Sequence, residues 1–121
     1  MLADAERKVG DREQEMAALL EGLELRPRSS DMLFRLANCY LEQRNFDRAV
    51  LYLSKIANIN PNSADVYYHL AVAEEGRYRF AAADQAYARA VELAPDNKSF
   101  QSRHEALKRR VDQSRKDTVT K

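Results

Sequence analysis

The sequence of 121 residues is poor in residues that break or cross-link a fold, with three glycines, three prolines, one cysteine and no tryptophan. So little glycine and proline suits a helical protein. The single thiol, Cys39, cannot form an internal disulfide, so the cysteine content does not imply an oxidising compartment. The chain also shows no N-terminal signal pattern and no apolar run of about 18 residues. We therefore expect no membrane span and a cytoplasmic location.

Strong charge of either sign is also missing, because 20 basic residues nearly balance 19 acidic ones and the formal net charge is +1. A molecule this close to neutral has no general attraction to nucleic acids or anionic membranes. The exception is the segment after Asn97, where basic residues clearly outnumber acidic ones. No aromatic residue interleaves with Lys108, Arg109 and Arg110, so we interpret this segment as a solvated helix and expect no nucleic-acid partner.

Sequence motifs of catalysis are absent as well. There is no glycine-rich phosphate loop, no nucleophile elbow and no H-E-x-x-H zinc motif. His69 and His104 are the only histidines, and together with Cys39 they offer too few ligands for a structural zinc site. We therefore predict that the chain is not an enzyme and has no cofactor, no bound metal and no small-molecule substrate.

What the sequence does contain is an internal repeat. The segment Ser30–Ser63 matches the segment that follows it at a constant offset, which we call the repeat period. A fixed period of about 34 residues is typical of stacked helix pairs, because one pair cannot bury its apolar face alone. Small, large and proline positions all keep the offset: Asp31, Leu36, Ala37, Phe46, Ala49 and Pro61 recur as Asp65, Leu70, Ala71, Phe80, Ala83 and Pro95.

Each full copy, 30–63 and 64–97, has the pattern of two helices joined by a short turn. Ser30 or Asp31 is the expected cap of the first helix in one copy, and Asp65 is the expected cap in the other. The turn of the 30–63 copy lies at Arg44-Asn45, where we expect asparagine to take the left-handed conformation.

Residues 1–29 match the repeat only in part. Leu2 and Ala3 fall in its first helix, a turn is predicted at Gly10-Asp11, and apolar spacing indicates a second helix up to Pro27. We interpret this segment as a partial or degenerate copy. This would follow if the chain were cut from a longer repeat protein or if its first helix were a degenerate cap.

The C-terminal segment predicts a capping element. Residues 98–116 form a polar helix whose narrow apolar stripe consists of Phe100, Leu107 and Val111. A stack of repeats needs a last helix that covers the core and presents a polar outer face. Residues 117–121 are expected to be a frayed tail.

With this period, and with Pro27, Pro61 and Pro95 in step, the chain resembles the tetratricopeptide repeat family. The resemblance implies an all-α fold, namely a right-handed α-solenoid of stacked antiparallel helix pairs with a C-terminal capping helix, in a single domain. The chain departs from the family pattern in lacking tryptophan. Its second turn is also shifted, because Gly76 comes early and Tyr78 takes the usual glycine position.

The resemblance also implies a binding surface, because the first helices of tetratricopeptide arrays line a concave face that holds peptides or partner segments. Phe34, Tyr68 and Val72 are not needed for the packing of the repeat itself, so we expect them to form an apolar patch for a partner. Carried over position by position, the candidate binding residues are Phe34, Arg35, Asn38, Leu41, Tyr68, His69, Val72 and Arg103.

Heat-shock co-chaperones of this family hold a peptide carboxylate with a clamp of two lysines, two asparagines and an arginine. The aligned positions of this chain retain only Asn38 and Arg103, and both lysines are missing. A heat-shock peptide clamp is therefore disfavoured.

These observations favour a non-catalytic protein–protein interaction module, a scaffold or adaptor that binds another protein or a peptide. One alternative is a structural role, in which an apolar array end around Leu2, Leu19 and Leu23 associates with another copy. A second alternative is contact with nucleic acid or an acidic surface through the basic C-terminal helix, which the missing aromatic residues disfavour.

Overall fold

The computed structural model describes residues 2–119, with side chains from residue 10 to residue 114, and helices are the regular elements of this part of the chain. Each helix packs against the next one along the chain, which is the nearest-neighbour arrangement of an α-solenoid. The predicted all-α solenoid is confirmed. The helices are α1 (Leu2–Leu25), α2 (Ser30–Glu42), α3 (Phe46–Ile59), α4 (Ala64–Gly76), α5 (Phe80–Leu93) and α6 (Lys98–Val119).

The apolar side chains form two core clusters that meet at α4. The first cluster lies among α1, α2, α3 and α4, and includes Val66 and Ala73 of α4. The second joins α4 to α5 and α6, and includes Ala71 and the fully buried Tyr87. Leu70 packs against both clusters. Different faces of α4 therefore pack into the cores of the two halves of the stack.

The recurrent alanines are fully buried, as their spacing predicts. Ala37 and Ala49 in one copy, and Ala71 and Ala83 in the other, have 0% of their surface exposed. A methyl group at these positions allows two helix backbones to approach closely, since a longer side chain would separate them.

Replacing Ala49 or Ala83 with leucine is expected to lower the free energy of unfolding by about 1–3 kcal/mol, because the added atoms overpack a fully buried position. Thermal or urea unfolding of each variant beside the wild type measures the change. Ala88→Leu, at an exposed position of α5, is the matched control. Wild-type midpoints for both buried variants would contradict the close packing of the helix pairs.

The predicted turn at Gly10-Asp11 is wrong, because α1 is one continuous helix through these residues. Gly10 has no positive φ, and a Cβ built on it meets nothing within 4 Å. The residues that follow are mostly Glu, Ala, Leu and Gln, which favour helix, and nothing in this stretch requires the chain to reverse. Leu2 and Ala3 lie outside the residues whose side chains are described.

The expected apolar end of the array is also wrong for the two leucines that the structure describes. Leu19 and Leu23 are each only 9% exposed and belong to the first core cluster, which α2 shares. Among the described side chains of α1, the large apolar ones that are exposed are instead Leu20 and Leu25, at 40% and 86% exposure.

Two helix caps lie one or two residues before the expected positions. The cap of α2 is Ser29 rather than Ser30 or Asp31, and its Oγ accepts a hydrogen bond from the backbone N–H three residues later at 3.4 Å. The cap position of α4 is Ser63, without a side-chain hydrogen bond, and Asp65 lies in the first turn. A carboxylate in a first turn still favours the helix through the helix dipole.

The α2–α3 turn and the α4–α5 turn each contain a left-handed residue that is not glycine. Arg44 has φ 60° and Tyr78 has φ 62°. Asn45, predicted to be left-handed, is instead the N-cap of α3, and its Oδ1 accepts from the N–H of Arg48 at 3.3 Å. Asn45 therefore satisfies the start of the next helix, and the residue before it makes the turn.

The capping helix α6 runs to Val119, three residues beyond its predicted end, and covers the second core cluster with Leu107. Residues 120 and 121 of the predicted tail lie outside the described part of the chain. Across residues 2–119, no helix combines the length and apolar character that crossing a bilayer requires.

Candidate partner-binding face

Four aromatic rings connect α2, α4 and α6 across one face of the stack. Phe34 of α2 meets His69 of α4 edge-on, with ring centroids 5.0 Å apart. The ring of Tyr68 lies 5.4 Å from that of His69 and stacks on Phe100 of α6 at 4.7 Å. We call these four residues the aromatic line. It joins the three helices that occupy first-helix positions in the repeat.

The rings of the aromatic line are anchored in the core on one side. Phe34 packs against the first cluster, Tyr68 packs against the second, and both remain half-buried. Leu41 and Val72 are half-buried in the same way. The expectation that Phe34, Tyr68 and Val72 stand apart from the repeat's own packing is therefore wrong, because each contributes one edge to the core and leaves the rest accessible.

The orientation of the His69 ring is fixed by its own helix. Nδ1 lies 2.7 Å from the backbone carbonyl oxygen of Asp65, one turn earlier. A carbonyl oxygen can only accept, so Nδ1 is the donor and Nε2 of the neutral ring is an acceptor. His69 therefore offers a hydrogen-bond acceptor within the aromatic line.

A polar cluster lies beside Tyr68. The Tyr87 hydroxyl donates to Oε1 of Glu75 at 2.9 Å, and Arg110 of α6 donates to Oε2 at 2.8 Å. Arg103, also from α6, lies beside the Tyr87 hydroxyl. The Glu75 carboxylate of α4 therefore accepts hydrogen bonds from both α5 and α6, which stabilises the capping helix against the stack.

Burial and the hydrogen bond to Glu75 raise the pKa of Tyr87 to about 12, because both disfavour the phenolate. Burial alone would lower the pKa of Arg103, but Tyr87, Tyr68 and Glu75 together raise it. Arg103 therefore stays cationic at the α6 side of the face.

The other predicted site residues lie away from the aromatic line. Arg35 and Asn38 border an open cleft of about 380 Å³ between α1 and α2. Arg12 spans this cleft in an ion pair with Glu42 at 3.0 Å. Its further lining residues are Asp11, Glu15 and Cys39.

Cys39 is buried beside this cleft. Burial raises the pKa of its thiol, and the negative charges of Glu15 and Glu42 raise it further. Arg35 and Asn38 thus lie at the α1–α2 cleft, whereas Phe34, Tyr68 and His69 lie in the aromatic line and Arg103 lies beside Tyr87.

Sequence reasoning missed the roles of Glu75 and Arg110. The available signal was that Glu75 stands one repeat period after Leu41, so an acidic residue replaces an apolar one in the repeat. Within residues 10–114, no three His, Cys, Asp or Glu side chains lie close enough together to hold a metal ion.

Helix pairs that stack in series and present side chains on one common face are characteristic of α-helical repeat scaffolds. A sequence profile of the tetratricopeptide repeat matches residues 14–74, and a second matches residues 64–97. The chain belongs to the tetratricopeptide repeat family, which in general is a non-catalytic scaffold for protein interactions. Comparison with curated protein sequences gives no match.

Solved structures agree with this assignment. MamA (residues 41 to the end) from Desulfovibrio magneticus RS-1 superposes with a TM-score of 0.81 at 23% identity, over 88% of this chain and 60% of MamA. The first TPR of Spaghetti (RPAP3), bound to the HSP90 peptide SRMEEVD, gives 0.79 at 17% identity, over 89% and 86%. The Arabidopsis OM64 TPR domain gives 0.76 at 21% identity, over 88% of each chain. These identities show a shared fold, and the chain spans about 60% of the length of the MamA structure.

Proposed function

We propose that the chain is a protein-interaction module that holds an extended peptide or partner segment on the face formed by α2, α4 and α6. The aromatic line carries this proposal, because it crosses all three helices and leaves Phe34, Tyr68 and His69 half-buried, while Phe100 is buried beneath Tyr68. Aromatic side chains that are held rigidly by a core and remain accessible supply large contact area at little cost in conformational entropy.

Polar groups within and beside the aromatic line would orient such a segment. Nε2 of His69 can accept from a backbone N–H, and the Arg103 guanidinium can pair with an acidic side chain. The RPAP3 domain of similar fold was solved with a peptide, which supports an extended peptide as the ligand class. With helices of 13 residues, each about 20 Å long, the face can hold a short segment, and micromolar affinity is expected.

The test is partner capture followed by direct titration. Partners captured on the wild-type chain are identified by mass spectrometry and mapped to a binding segment with overlapping peptides. The segment is then titrated against Phe34→Ala/Tyr68→Ala, which is expected to weaken binding by about tenfold or more, because central aromatic residues dominate most interfaces.

One control variant and one further binding variant separate a loss of binding from a loss of folding. Tyr78→Ala removes an aromatic ring that is 73% exposed at the α4–α5 turn and should leave the affinity unchanged. His69→Ala retains the two core-anchored rings and should still weaken binding. Circular dichroism checks that each variant is folded. Unchanged affinity in both Phe34→Ala/Tyr68→Ala and His69→Ala would rule out this face.

A further inference from the structure

The two ends of the stack carry opposite charge. Among the described side chains, the first helix has an excess of four negative charges and the last helix has an excess of three positive charges. In α1 the charged residues are Asp11, Arg12, Glu13, Glu15, Glu21 and Glu24. In α6 they are Lys98, Arg103, Glu105, Lys108, Arg109, Arg110 and Asp112.

Much of this charge faces away from the stack. Leu19 and Leu23 turn one side of α1 into the core, and the helical period places Glu21 and Glu24 on the opposite side, where both are exposed. In α6 the buried Leu107 marks the inner side. Lys108 and Arg109 follow it at exposed positions.

The two terminal helices occupy complementary positions of the repeat. Met16 and Leu19 lie one repeat period before Val50 and Leu53, so the C-terminal half of α1 is the second helix of a repeat. Helix α6 begins one repeat period after the start of α4, so it occupies a first-helix position. Within the described chain, α1 has no first helix before it and α6 has no second helix after it.

We propose that two copies of this chain associate head to tail, with the outer side of α1 in one copy against the outer side of α6 in the other. This arrangement pairs opposite charges, whereas contact between two α1 ends or two α6 ends pairs like charges. It also continues the alternation of first and second helices along the stack. Because the contact is heterologous, a pair of copies leaves one α1 end and one α6 end unoccupied, and further copies can add.

The contact is electrostatic and weak. Glu105 stands one repeat period after Ala71, so α6 carries a glutamate where a buried alanine allows close packing elsewhere. A close-packed repeat pair cannot form across the two ends. Association should therefore weaken with salt, which screens exposed charges, whereas an apolar contact would not weaken.

Sedimentation velocity of the full chain, over a range of protein concentrations, tests the proposal. At about 10 mM salt, where the screening length is about 30 Å, the average mass is expected to rise with concentration, and at about 1 M salt the monomer should prevail. Glu21→Lys/Glu24→Lys and Lys108→Glu/Arg109→Glu should each weaken association by about tenfold or more at low salt, because two favourable pairs become repulsive.

Charge complementation gives the decisive comparison. Mixing the two variants, or combining all four substitutions in one chain, should restore association at low salt. Arg48→Glu/Lys55→Glu, at exposed positions of α3, matches the charge change of the second variant and should associate as the wild type does. A wild-type monomer at every concentration in low salt, association that is insensitive to salt, or a mixture that stays monomeric would each overturn the head-to-tail contact.

Discussion

Replacing Tyr87 with alanine is expected to lower the free energy of unfolding by about 3–5 kcal/mol, as removal of large buried side chains does. Tyr87 is the largest fully buried side chain and belongs to the second core cluster. Its hydroxyl also bonds Glu75 of α4, and its ring lies 6.0 Å from that of His104 in α6. A loss of this size is a large part of the free energy of unfolding of a typical domain, which is about 5–15 kcal/mol. Urea unfolding followed by circular dichroism measures it.

Tyr87→Phe separates the hydroxyl from the ring. It keeps the packing and removes one hydrogen bond from Glu75, whose other oxygen still accepts from Arg110. The free energy of unfolding is therefore expected to fall by about 1 kcal/mol at neutral pH. The pKa of Tyr87 is about 12 in the folded chain against a usual value of 10. Since the folded value is the higher one, the stabilisation is fully present below pH 10 and is lost as pH rises to 12.

The stability difference between the wild type and Tyr87→Phe should therefore shrink between pH 10 and pH 12. The phenylalanine variant cannot titrate at this position, so it serves as the reference at each pH. A difference that stays constant across this interval, or an alanine variant as stable as the wild type, would contradict the role of Tyr87 as a bonded core residue.

Replacing Gly76 with alanine is expected to lower the free energy of unfolding by about 1–3 kcal/mol, because the new methyl group would overlap the ring of Phe46. A Cβ built on Gly76 lies 2.6 Å from two ring carbons of Phe46, closer than packed atoms approach. Arg44 lies over the same ring at 5.5 Å, so the ring cannot move without disturbing the α2–α3 turn. Thermal unfolding and the denaturant midpoint measure the effect.

Gly22→Ala is the matched control for Gly76→Ala. The nearest atom to its Cβ is the sulfur of Met32 at 2.8 Å, at the end of a flexible side chain that can shift. Alanine also favours the interior of α1 by about 0.5–1 kcal/mol over glycine, so the net change should be small. Equal stability losses in the two variants would show that Phe46 yields as easily as Met32 does.

The repeat period predicted the stack well, because helix packing depends on where small and large side chains recur. Ala37 and Ala49, chosen from their spacing, are completely buried. The family position of the aromatic residues also placed Phe34 and Tyr68 on neighbouring helices.

Features that depend on contacts between helices could not be predicted in this way. The continuity of α1 through Gly10 could not be predicted from the local Gly-Asp pair, because glycine accepts helical backbone angles as well as those of a turn. Arg44 and Tyr78 adopt left-handed conformations against their intrinsic preference because the flanking helices determine the turn. The two hydrogen bonds of Glu75 join residues 12 and 35 positions apart, beyond any local pattern.

The position of α4 would link occupancy of the proposed binding face to the stability of the two core clusters. This helix contributes Val66 to one core cluster and Ala71 to the other, and it also carries Tyr68 and His69. A ligand that binds only the folded α4 shifts the unfolding equilibrium of both halves together, by an amount set by its concentration and affinity. Two neighbouring units are thereby coupled through one shared helix, and a short segment bound at the centre protects both ends without any change of shape.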